Sequence, residues 1–213
     1  MRLLRCLALL PLLPLVMAVS LLEAWPQPTV GYRANMTIVS GSETLTGKVY
    51  AKPGWQRQEM PIHGMDTVAV LDFANGKVAT WSPRMPVVMN MDLDAMLAAS
   101  GDVRTLDYDH LTITPVGRET ILGYETIKNE VHGRQDQGER FDGFVWLTET
   151  GNIPLRLTGT GSSPEKGTAE VEMTLTNVAI GDQPDALFRP PDSTALPVDR
   201  ILEGLGGLLG NRN

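Results

Sequence analysis

From Gly31 to Ile180 apolar side chains recur at every second position between turn signals, which is the spacing of half-buried strands and not of helices. YRANMTIV sets Tyr32, Ala34, Met36 and Ile38 on one face. LTGKVYA follows the GSET turn and aligns Leu45, Val49 and Ala51; Pro53-Gly54 then leads into WQRQEM. TVAVLDF and KVATW flank Ala74-Asn75-Gly76, and Asn-Gly between apolar runs is a strong hairpin signal. After Ser82-Pro83 comes RMPVVMNMD. Read as a strand, it points Met85, Val87, Met89 and Met91 one way and Arg84, Pro86, Val88 and Asn90 the other.

DLDAMLAAS, Asp92 to Ser100, predicts a short helix with Asp92 or Asp94 as N-cap and Gly101 beyond its end. Strands resume in LTITPV, GYETIKNEVHG, FDGFVWLTE, IPLRLTGT and TAEVEMTLTNVAI, with GRQDQGER and GSSPEKG as polar hairpin tips. QPDALF predicts one helical turn, which RPPD stops. TVAVLDF, VVM and FVW are apolar on both faces, so something must cover the second face, and the helix at Asp92 is the candidate. The chain is expected to be mainly β. About ten antiparallel strands with almost no helix between them suit a curved meander, a sandwich or a barrel.

Arg2 and Arg5 precede an apolar run with small residues at Ala18, Ser20 and Ala24, which reads as a secretory signal peptide over residues 1–24. An uncleaved membrane anchor is the alternative, disfavoured by Pro11 and Pro14. One half-barrel domain is expected over 25–194, and the Gly-rich, weakly amphipathic VDRILEGLGGLLGNRN leaves a tail over 195–213. The only cysteine, Cys6, lies in the leader, which removes disulfides, thiolate nucleophiles and cysteine-ligated metal centres from the mature chain. A net charge of -7 with no basic run argues against nucleic acid as a partner.

The order of the motifs resembles the LolA and LolB superfamily of periplasmic lipoprotein carriers and receptors. GKVYAKPGWQRQEM is similar to its G-x-[LV]-x-x-x-P-x-x-x-R signature through Gly47, Pro53 and Arg57. TVAVLDFANGKVATWSP looks like the strand, turn and strand that follow, and WLTETGNIPLRL like the later hairpin, carried by Trp146, Gly151, Pro154 and Arg156. TNVAIGDQPDALFRPP resembles the closing N-P-D-x-x-F turn, with Gln183 where that motif has Asn. The resemblance spans about residues 31–194. It implies a curved antiparallel half-barrel whose concave apolar face, partly lidded by one or two short helices, holds acyl chains or another hydrophobic ligand in the periplasm. The carriers begin with a long helix that WPQPTVG leaves no room for, so the lid is reduced.

Three chemistries compete for the methionines. His63, His110 and His132 lie in turns or strand ends without a Ser or Asp partner at motif spacing, and no Gly-rich phosphate loop is present, so a non-catalytic protein without a cofactor is expected. Met60, His63 and Met65 in EMPIHGMD, with Met85, Met89 and Met91, would suit Cu(I), although alternate strand residues stand about 7 Å apart. A hydrophobic ligand or lipoprotein would use Met36, Trp81, Met85, Val87, Met89, Met91 and Met96 as a lining, because the thioether chain repacks around varied shapes. The plain alternative is that the stripe is ordinary core. A monomer is expected; an envelope protein partner would dock on edge strands or on the Leu-rich tail from Ile201 to Leu209.

Overall fold

A computed structural model describes residues 26–62, 64–84, 87–93, 111–134, 140–163, 167–192 and 194–197. The alternating segments form β1 (Tyr32–Ser40), β2 (Glu43–Lys52), β3 (Trp55–Ile62), β4 (Met65–Asp72), β5 (Lys77–Trp81) and β6 (Val87–Asp92). The second half supplies β7 (Thr112–Ile121), β8 (Tyr124–Arg134), β9 (Arg140–Thr148), β10 (Pro154–Ser163) and β11 (Gly167–Ile180), then β12 (Thr194–Pro197). All belong to one open, curved sheet in the order β12-β6-β5-β4-β3-β2-β1-β11-β10-β9-β8-β7. β1 to β11 pair antiparallel, and β12 adds parallel to β6 at the edge. Residues 195–197, read from the sequence as the start of a tail, are thus part of the outermost strand.

Period two makes each strand two-faced, and one face is buried over the middle of the sheet. This inner face carries Tyr32, Met36, Val49, Val131, Val145, Leu155, Leu157 and Leu175 in one cluster that crosses from β1 to β11 and on to β8. Curvature is eased where Gly143 and Gly159 pair directly across β9 and β10. A Cβ on Gly159 would lie 2.4 Å from the Phe141 ring, so the ring occupies the space that the glycine leaves.

Three bulges account for departures from the simple alternation, one of them at Leu155 in β10, between Pro154 and Arg156. β11 carries an extra residue opposite Arg33 and Asn35, where Asn177 takes φ 53. In β7 the register shifts between Pro115 and Gly117, so the strand continues to Ile121, past the end of LTITPV. The predicted helix from Asp92 lies outside the described residues beyond Leu93. The QPDALF turn is a 3-10 turn at Asp185–Phe188. It packs on the outer face, where Phe188 joins Val68, Val70, Trp81 and Val88. The cover that TVAVLDF needs on its second face therefore includes a segment near the chain's end. Among the described residues no helix is long and apolar enough to cross a membrane.

Candidate functional site

Directly opposed residues share a face, so the register builds two transverse rows on the inner side of β3 to β6. One runs Gln58, Ala69, Thr80, Met89; the next runs Gln56, Leu71, Val78, Met91. Val87 has the parity of Met89 and Met91, and all three are half-buried. Val87, Met89 and Met91 therefore share the inner face, as alternation along one strand predicts. Every charged residue of these strands, Arg57, Glu59, Asp66, Asp72, Lys77 and Asp92, has the opposite parity. The inner patch is uncharged.

Met36 shares the inner face but is sealed in the main cluster, paired opposite Gly47 and Leu175. Met85 and Met96 lie outside the described residues. Trp81 requires a correction. It pairs opposite Val88 and Val68, on the outer face. Counting by twos from the stripe fails there because Ser82, Pro83 and Arg84 leave the strand in a turn before β6 begins.

Sequence reasoning missed the polar members of the patch. Gln56, Gln58 and Thr80 are only 2%, 1% and 2% exposed. Among the described residues, Gln56 Nε2, both Gln58 amide atoms and Thr80 Oγ1 have no hydrogen-bond partner. An unpaired buried polar atom costs about 1–3 kcal/mol, and native structures leave few of them. The alternation in WQRQEM does signal two glutamines on one face; what it does not give is their burial on the same face as Thr80.

The outer face explains the motif residues. Arg57 donates from Nη1 to the Leu187 carbonyl (2.8 Å), pairs with Glu59 (2.7 Å) and lies over the Trp81 ring (5.4 Å). Lys52 bonds Asp185 (2.5 Å) and sits over the Phe188 ring (4.9 Å). The Lys52 hydrogen bond holds the Asp185 carboxyl below its ordinary range. Gly181 N–H donates to the Gly31 carbonyl, so the segment after β11 is fastened successively over β1, β2 and β3. Similarly, Trp146 is covered by Lys128 and Arg156 at 4.9 and 5.2 Å and donates to Glu119 (3.0 Å). These motif residues clamp the fold; none reaches the inner patch.

Among the described residues no group of three or more His, Asp or Glu side chains could hold a metal ion. Met65 lies four residues along β4 from Ala69 and two strands from Met89, roughly 16 Å away by strand geometry. Met65 and Met89 are therefore too far apart to share one thioether site. His63 and His110 lie outside the described residues. His132 Nδ1 bonds Asp142 (2.6 Å), with Glu130 at 3.5 Å from Nε2. The Asp142 hydrogen bond pushes the imidazole pKa up. At the free edge, β7 exposes Val116 by half, but Pro115 and the bulge blunt it as a template for an added strand.

No protein-family model matches the sequence, and no curated protein matches it. Solved structures do resemble it. A conserved protein from Thermus thermophilus, described as uncharacterized, superposes with a TM-score of 0.51 at 14% identity, covering 85% of this chain and 96% of that one. A LolA superfamily protein from Nitrosomonas europaea gives 0.40 at 10% identity, covering 82% and 97%. MucB from Pseudomonas aeruginosa, in its complex with MucA, gives 0.49 at 17% identity, covering 84% of this chain and 62% of that one. At such identities the first likeness is one of fold.

Proposed function

We propose that the chain is a non-catalytic periplasmic protein that holds a lipid, a lipoprotein acyl chain or another hydrophobic ligand against the inner face of β3 to β6. The observation that carries this is the uncharged patch, on which Val87, Met89 and Met91 stay half-buried toward the β6 side of an unclosed sheet. Apolar, flexible side chains without charge favour ligands that are themselves apolar and varied in shape. The motif order resembling lipoprotein carriers supports the same reading.

Native mass spectrometry of protein purified from cell envelopes, together with displacement of a fluorescent hydrophobic probe by alkyl ligands of increasing length, tests this. Each buried methylene contributes about 0.8 kcal/mol, so affinity should rise up to about fourfold per CH₂ until the face is filled. Met89→Asp should abolish displaceable binding. Protein that is consistently empty and binds no displaceable probe overturns the proposal.

A further inference from the structure

Building on that binding role, we propose that Gln56, Gln58 and Thr80 form a polar subsite for the neutral carbonyl linkage, ester or amide, of an acylated ligand. The hydrocarbon lies along Met89 and Met91. The three polar residues occupy the two rows that end in those methionines on the same face, Thr80 one strand from Met89 and Gln58 and Gln56 three strands from Met89 and Met91. They are nearly fully buried, and the unbonded atoms comprise Gln56 Nε2, Gln58 Nε2 and Oε1, and Thr80 Oγ1. Because both ends of the Gln58 amide are open, either orientation of the group offers donors. Amide N–H and hydroxyl donors complement a carbonyl oxygen, and the Gln58 and Thr80 oxygens can accept from an amide N–H. Among the described residues no cation stands on the inner face of β3 to β6. A fatty carboxylate would be desolvated there without a counter-charge, whereas its ester keeps its carbonyl bonded. The subsite therefore selects neutral acyl esters and amides over free fatty acids.

The test measures displacement of a fluorescent hydrophobic probe by methyl decanoate, decanoate and decane at pH 8. For the wild type, the methyl ester should bind about tenfold more tightly than either the carboxylate or the alkane. Gln58→Met and Thr80→Val keep side-chain volume and remove the donors. Each should lower ester affinity about three- to tenfold and leave decane affinity unchanged. With the unbonded groups gone, their melting temperatures should be no lower than wild type; if Gln58→Met does not fold, Thr80→Val alone decides. Equal binding of ester and alkane by the wild type, or an ester preference that survives both substitutions, overturns the subsite and leaves the hydrophobic site standing. Absence of all probe binding by the wild type overturns both.

Discussion

Replacing Arg57 with Ala should loosen the segment that crosses the back of the sheet. The guanidinium makes a charged hydrogen bond to the Leu187 carbonyl, an ion pair with Glu59 and a ring contact with Trp81. Its side chain is 15% exposed and that of Glu59 32%, so solvent screens the pair only in part. The hydrogen bond is worth about 1.5–3 kcal/mol, the cation over the ring about 0.5–1, and the ion pair between zero and about 1. Allowing for overlap among contacts that share one side chain, the loss should be about 2–4 kcal/mol. At roughly 2–4 °C per kcal/mol for a domain of this size, the melting temperature should fall by about 4–16 °C. Differential scanning calorimetry measures this. Limited proteolysis should show earlier cleavage near Leu187, and Trp81 should become more accessible to a fluorescence quencher. Arg57→Lys keeps the charge but cannot span both Glu59 and the carbonyl, so it should fall between. A melting temperature within about 1 °C of wild type in the Ala variant would refute the clamp.

Two other outcomes follow from local geometry. His132 has a folded-state pKa above its ordinary 6.5, chiefly through the hydrogen bond to Asp142. The stabilisation is therefore fully present below the unfolded pKa and lost as pH rises through the folded one. NMR titration of Asp142→Asn should show the His132 midpoint moving down, with the stability gap to wild type widest at acid pH; an unmoved midpoint sinks this assignment. Leu122 adopts φ 54 at the tip of the β7–β8 hairpin and is about half exposed. Leu122→Asn should remove a left-handed penalty of about 1 kcal/mol and raise the melting temperature by about 2–4 °C. A fall instead would mean that the leucine makes contacts worth more than its strain.

The strands were legible because alternation at period two survives in almost every segment from Tyr32 to Ile180. Its failures have local causes. Val116 sits in a bulge that shifts the phase of β7, and Pro83 lies in the turn that separates Trp81 from the count that places Met89. Half of the candidate site could be read, since Val87, Met89 and Met91 fall on one face whatever surrounds them. The other half could not. Gln58 in one row with Thr80, across Ala69, is a fact of register between β3, β4 and β5, and alternation within one strand cannot reveal which residues of a neighbouring strand stand opposite. The meeting of Arg57 with Leu187, 130 residues apart in the chain, is likewise invisible to local pattern. It gives the order of the motifs a physical sense, because two of them touch.

The crossing of the back has a mechanical corollary. From β11 to β12 the chain passes seven strand spacings, about 34 Å at ~4.8 Å each. Between Ile180 and Thr194 it spans about 41–44 Å when extended, once the 3-10 turn at Asp185–Phe188 has shortened it. The belt exceeds the crossing by only about 10 Å. Curling the sheet more tightly lengthens the path over its outside, so a belt of this length sets how far β6 can roll toward the opposite edge. The curvature of the inner face at Met89 and Met91 is thus bounded from behind, by residues on the other side of the sheet.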